Sequence, residues 1–489
     1  MKAPDRFSSM DRNSGHEPSI RLSEILSALS YALDLTEGQP MGHSVRACII
    51  GMRLAQQVGL PAAERGDLYY SLLLKDAGCS SNSSRLFHIV SADEIKAKRD
   101  VKFTDWTRVG WESLHYALTH VATDLPFLQR VRRLLQVAAT QQQDSCTLVK
   151  IRCERGANIA KQMGFSDAVV AGIYRLDEHW NGRGYPDGLQ KDEIPLFSRI
   201  ANLSQTLEVF YAQHGPSRAT DVALRRRGRW FDPELVHAAV LMSKNGSLWA
   251  DLENPELLQP DLLNRVIALE PEQRRITAND DAIDNICQAF AEVIDAKSPF
   301  TYRHSSGVAE AAMDIARWFD MKPRDIKLIR RAALLHDLGK LGVPNRILEK
   351  PGKLTNEEWA VVKRHPYYTL EILRRIPGFQ LWAEEAAAHH ERLNGSGYWR
   401  GLAADQLSTF ARILAVADVF DALRAKRPYR DSLPLEKTFS IMREEAPHAI
   451  DLPCLEALIA AKTSSEPSSL EQSKSHTHSV TIPLKEQVQ

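Results

Sequence analysis

Five of the sixteen histidines fall between positions 304 and 390: His304, His336, His365, His389 and His390. Two aspartates stand with them, Asp337 beside His336 and Asp418 inside the apolar run ILAVADVF. Neutral imidazoles with carboxylates form a hard-to-borderline ligand set, suited to Fe, Mn, Zn or Ni rather than to calcium or a thiolate site. Seven such groups exceed the three or four of a single catalytic zinc. They suit two adjacent metal ions that share a carboxylate, an arrangement that serves in-line attack at phosphorus. Any one of these histidines alone would be read as packing or surface. An ionised, unpaired carboxylate at Asp418 would cost roughly several kcal/mol in such apolar company, and metal ligation removes that cost.

The elements that must carry these groups are helical. In AALLHDLGK, Leu334 and Leu335 run directly into His336-Asp337. Thr355 and Glu358 form a capping-box signature opening EEWAVVKR, a helix predicted to stop at His365 because Pro366 disfavours helical dihedrals in the residue before it. LWAEEAAA ends in His389-His390 and gives way to the glycine-rich turn NGSGYWRG. Asn279 or Asp280 can cap a helix with Ile283, Ile286, Phe290, Val293 and Ile294 on one face. Near the start, RLSEILSALSYALDL places Leu22, Ile25, Leu26, Leu29 and Leu33 on one stripe. Little of the chain alternates at period two, so the fold class is all-α.

The sequence also repeats itself. GHS at His43 is followed by KDAGC from Lys75, and RHS at His304 by HDLGK from His336, both pairs offset by 261. EHWNGRGYPDGL from Glu178 matches ERLNGSGYWRGL from Glu391 at an offset of 213, with eleven identities in 35 between 174–208 and 387–421. The expected organisation is a disordered leader over 1–20, a first copy over 21–280 with an insertion at about 80–150, a second copy over 281–462 and a disordered tail over 463–489. In the first copy the seven positions read His43, Lys75, Asp76, Cys153, Leu176, Asp177 and Gln205. An ammonium repels a cation and leucine cannot ligate one, so this copy reads as non-catalytic.

Composition excludes several classes. With 62 basic and 62 acidic residues the formal charge is zero, so no global field favours nucleic acid or an acidic membrane. RRRGR at 225–229 reads as a solvated turn. No apolar run approaches the ~20 residues of a membrane span, and the first residues lack a signal-peptide core. Six scattered cysteines without a CxxC pair indicate reduced thiols in a cytoplasmic protein.

On LLHDLGKLGVP (334–344), KPGKLTNEEW (350–359), RHP at 364, HHE…GSGY (389–398) and ILAVADVFDALRAKRPYR (413–430), the second copy resembles the HD-GYP family of HD-superfamily phosphodiesterases. The resemblance implies two tandem HD-type helical domains and hydrolysis of cyclic di-GMP to linear pGpG or GMP, with cGAMP or another phosphoester, or a low-activity nucleotide-binding scaffold, as the alternatives. It implies His304, His336, Asp337, His365, His389, His390 and Asp418 as ligands of two divalent ions such as Fe or Mn. Asp337 and Lys340 would be catalytic; Lys340, Arg427 and Arg430 would hold phosphates and Asp421 would support the site. Some members carry a further glutamate ligand four residues before the first histidine; Phe300 stands there, which favours two ions over three. The name-giving Gly-Tyr-Pro is Gly397-Tyr398-Trp399 here, in a loop (394–399) that the family links to signalling partners. The resemblance leaves room for a homodimer.

Overall fold

The computed structural model describes residues 20–106, 111–252, 260–426 and 431–464. Most of the 1–20 leader, most of the 463–489 tail, Arg427 and Arg430 lie outside the described residues. Among those described there are helices and isolated bridges but no strand, and no helix is long and apolar enough to cross a membrane.

The first half opens with α1 (Leu22–Thr36), α2 (His43–Gln57) and α3 (Ala62–Leu74). The insertion follows as α4 (Ser83–Val90), α5 (Glu94–Val101), α6 (Trp111–His120) and the start of the long α7 (Phe127–Gln162). Next come α8 (Asp167–Tyr174), α9 (Leu196–Arg226), α10 (Pro233–Lys244) and α11 (Pro260–Ala268). The second half holds α12 (Asp280–Asp295), α13 (His304–Trp318), α14 (Pro323–Leu335), α15 (Asn345–Leu348), α16 (Asn356–Val362), α17 (His365–Leu373) and α18 (Gln380–Ala387). It closes with α19 (Thr409–Arg424), α20 (Leu435–Glu445) and α21 (Leu452–Ser464).

The repeat is visible in hydrogen bonds as well as in helix ends. Helices α2 and α13, and α3 and α14, begin and end 261 residues apart; α8 and α18 do so at 213. Asp34 accepts from Ser44 N and Oγ, as Asp295 does from Ser305. Glu178 holds the backbone N–H groups of Asp187, Gly188 and Leu189, and Glu391 those of Arg400 and Leu402. Arg199 pairs with Asp232 as Arg412 does with Asp451.

Three sequence readings are corrected. Helix α16 ends at Val362 and α17 starts at His365, so Pro366 stands in the first turn of a new helix, where its missing N–H costs nothing. Helix α1 is buried nearly all round, including Ser23, Ser27, Ser30 and Asp34, rather than along one stripe. It is packed on α2 and α3 and also on α17 and the 3₁₀ turn Leu338–Gly342 of the other half, and one hydrophobic core runs through both halves. Arg226 of the basic RRRGR run is 5% exposed, its guanidinium over the Trp230 ring at 4.1 Å, and Arg229 pairs with Asp105.

Candidate metal centre

The seven predicted groups converge. His336 caps the C-terminus of α14, with Asp337 next to it at the head of the 3₁₀ turn; His304 and His365 open α13 and α17. His389 and His390 follow α18, and Asp418 sits within α19. All seven are at most 5% exposed.

Each of four histidines spends its Nδ1–H on a fixed acceptor. His336 donates to Ala333 O (2.7 Å), His365 to Val362 O (2.7 Å) and His389 to Ala386 O (2.6 Å), while His304 Nδ1 lies 2.6 Å from Asp421 Oδ2. A carbonyl only accepts, so the neutral rings must present bare Nε2 lone pairs inward, the arrangement by which outer partners orient metal-ligating imidazoles. His365 Nε2 and His389 Nε2 then face each other at 3.2 Å, lone pair to lone pair. A cation between them removes that repulsion.

The two carboxylates bridge two groups of rings. Asp337 Oδ1 lies 3.3 Å from His365 Nε2 and 3.5 Å from His389 Nε2, whereas Oδ2 lies 3.2 Å from His336 and 3.6 Å from His304. Asp418 turns Oδ1 to His304 (3.3 Å) and Oδ2 to His390 (3.5 Å). Potential ligand atoms gather as Asp337, His365, His389 and His390 on one side and His304, His336 and Asp418 on the other. Five buried atoms here have no hydrogen-bond partner: His304 Nε2, His336 Nε2, Asp337 Oδ1, His390 Nε2 and Asp418 Oδ2. Orphans of this kind, lone-pair donors once His304 gives up its proton, fit divalent cations.

Protonation states agree with that fit. Burial pushes His365, His389 and His390 below the ordinary imidazole range, so they are neutral. Burial opposes ionisation of Asp337 and Asp418, but neighbouring His336 and Lys340 for the first, and His304 and His390 for the second, hold both well below the usual carboxylate range. For His304 burial is outweighed by Asp418 and Asp421, which raise it to about 10. That proton is the one a metal ion must displace.

Lys340 Nζ sits 2.7 Å from Asp337 Oδ2, on a ligand rather than in an open cleft. Tyr398 lies over the rings, its centroid 4.5 Å from that of His390. Trp399, in the place of Pro186, takes a left-handed φ of 88°. Sequence reasoning missed Thr369, whose hydroxyl donates to His336 O and accepts from Gly339 N, both at 3.0 Å. It missed Glu391 as the clamp of the 394–402 loop too, although the Glu178 match carried that signal.

The equivalent place in the first half is filled from within. Lys75 Nζ pairs with Asp76 and lies 3.2 Å from His43 Nε2, whose Nδ1 meets Glu208, the counterpart of Asp421. Burial opposes the Asp76 charge, but Lys75 holds it below its ordinary range. Glu37, Asp76 and Cys79 also lie close together, yet Glu37 is taken by Lys102 at 3.0 Å and Asp76 by Lys75. Ammonium groups stand where cations would.

Comparison with known proteins fits the geometry. The HD domain family matches residues 129–235 and 288–452. The chain belongs to that family. This HD-domain protein is 41% identical over 437 residues to the 3′3′-cGAMP-specific phosphodiesterase 3 of Vibrio cholerae, over 89% of this chain and 94% of that one. The crystal structure of a cyclic GMP-AMP-specific phosphodiesterase of V. cholerae, V-cGAP3, matches with a TM-score of 0.63 and 38% identity, over 92% of this chain and 99% of that one. A cyclic di-GMP phosphodiesterase of Thermotoga maritima is 40% identical over 165 residues, 33% of this chain and 45% of its own length.

Proposed function

We propose that this HD-domain protein is a metal-dependent phosphodiesterase that opens a cyclic dinucleotide, with 3′3′-cGAMP preferred over cyclic di-GMP. The observation that carries the reaction class is Asp337, whose two oxygens face two separate groups of imidazoles. The preference rests on the full-length likeness to the cGAMP-specific enzyme, against a likeness to a cyclic di-GMP enzyme over a third of the chain. It replaces cyclic di-GMP as the first expectation from the sequence.

In this reading His304, His336, Asp337, His365, His389, His390 and Asp418 would hold two divalent ions. When bound, the ions supply Lewis acidity at phosphorus and a low-pKa water. Asp421 fixes the His304 tautomer. Lys340 would direct its ammonium at the diester, and Arg427 and Arg430 are assigned the same task. The first copy, 21–280, is assigned a non-catalytic role, because Lys75 supplies the charge that a metal would; the second copy, 281–462, carries the chemistry.

The test is a panel of 3′3′-cGAMP, cyclic di-GMP and cyclic di-AMP incubated with metal-replete protein, the products resolved by chromatography. Faster opening of 3′3′-cGAMP supports the proposal; cleavage of cyclic di-GMP alone overturns the preference, and cleavage of none overturns the reaction class.

A further inference from the structure

The insertion encloses a cavity of about 410 Å³ over the inactive site, within the range typical of small-molecule pockets. Its walls are apolar: Leu86 and Val90 of α4, Val101 of α5, Leu114 of α6, Leu134 and Val137 of α7. Its floor is polar and comes from what the metal site has become. Lys98, Lys102 and Arg152 line it together with Glu37 and Asp177, Lys102 paired with Glu37 at 3.0 Å and Arg152 paired with Asp177, and Gln205 stands in the place of Asp418. A further carboxylate on the lining, Asp144, lies 3.9 Å from Arg85.

Two floor groups lack partners. Gln205 Oε1 and His179 Nδ1 are buried without a hydrogen bond, in side chains 9% and 1% exposed. Leaving such groups unsatisfied costs roughly 1–3 kcal/mol each, so the floor is built to receive a polar head. Leu114 lines the cavity and is itself 51% exposed.

We propose that this cavity is a ligand site for an amphipathic anion, a single hydrocarbon chain with a carboxylate head, the head on Lys102 and Arg152 and the chain between α4 and α7. A cyclic dinucleotide, which brings two phosphates and two hydroxylated riboses, suits these aliphatic walls poorly, and metal plays no part. The claim concerns binding, so it stands or falls separately from the phosphodiesterase reading.

Calorimetry on full-length protein tests it, with dodecanoate, dodecanol and dodecyltrimethylammonium below their aggregation concentrations, and with 3′3′-cGAMP as competitor. Dodecanoate should bind at one per chain, at least tenfold tighter than dodecanol, with the cation not binding. Lys102→Met should remove the preference for the acid over the alcohol. Val137→Phe, which fills the chain channel without touching the floor, should weaken dodecanoate at least tenfold with circular dichroism and metal content unchanged. Absence of saturable binding, equal affinity for acid, alcohol and cation, indifference to both substitutions, or displacement of dodecanoate by 3′3′-cGAMP would each overturn the assignment.

Discussion

Asp337 is the side chain on which the centre turns. One carboxylate faces both groups of imidazoles, and Lys340 stands 2.7 Å from it. Asp337→Asn keeps the volume but replaces one oxygen by an N–H₂ donor aimed at lone-pair donors. We expect metal to fall from two ions per chain to one or none by elemental analysis, hydrolysis to drop by at least a thousandfold, and helicity to be unchanged. Full metal occupancy in Asp337→Asn would refute the bridging role. At this scale the sequence was legible: all seven groups singled out there are buried and brought together, because a cluster of imidazoles and carboxylates in apolar company calls for a common partner. The supports were less legible. Thr369 gives no signal in a sequence, because a buried threonine is ordinary until its two partners are known, whereas Asp421 was reached through the resemblance alone.

Between elements the tolerances are set by backbone. Gly339, in the 3₁₀ turn after Asp337, lies so close to α17 that a Cβ would stand 2.1 Å from His365 O. The turn and α17 therefore touch main chain to main chain, with Thr369 pinning them. Gly339→Ala forces them apart, at a cost of roughly 1–3 kcal/mol for overpacking. The expected result is a lower melting temperature together with reduced metal content, since His365 shifts from Asp337. A variant equal to wild type in both would show that the contact yields freely. The break between α16 and α17 was misread for a related reason. Pro366 forbids a helix from continuing into it but welcomes one that begins there, and only the position of Val362 O, which fixes the His365 ring, tells which applies.

Taken whole, the molecule is two copies of one plan sharing a core, and burial of α1 on all sides was the feature that periodicity concealed. Its leucines announce a core face; its serines look like a solvated one. Its polar groups are buried against partners of the first half, Ser23 on Glu270 and Asp34 on Ser44, while α17 and the 3₁₀ turn of the second half cover another side, and partners far along the chain leave no local pattern. The insertion reaches across too, Glu94 of α5 receiving Asn345 N (2.9 Å) and pairing with the buried Lys297 (3.3 Å), and beyond the insertion Arg155 of α7 pairs with Glu292 of α12 (2.7 Å). Helix α12 in turn holds Ser305, next to His304, through Asp295. The wall of the cavity and the frame of the centre are thus one connected scaffold.

The Lys75–Asp76 pair has a further consequence, for how the protein meets scarcity. A site neutralised by its own ammonium is complete as soon as the chain folds; a site of converging bare imidazoles waits for a supply from outside. Depletion should therefore act on one half and spare its twin. In hydrogen–deuterium exchange after chelation, amides of α17 and α18 should lose protection by tenfold or more while those of α2 and α3 keep theirs, and restoring metal should reverse the change. Uniform loss across both halves would mean that the shared core transmits the damage. With the loss confined to α17 and α18, the first half would serve the second as a standing template when metal returns.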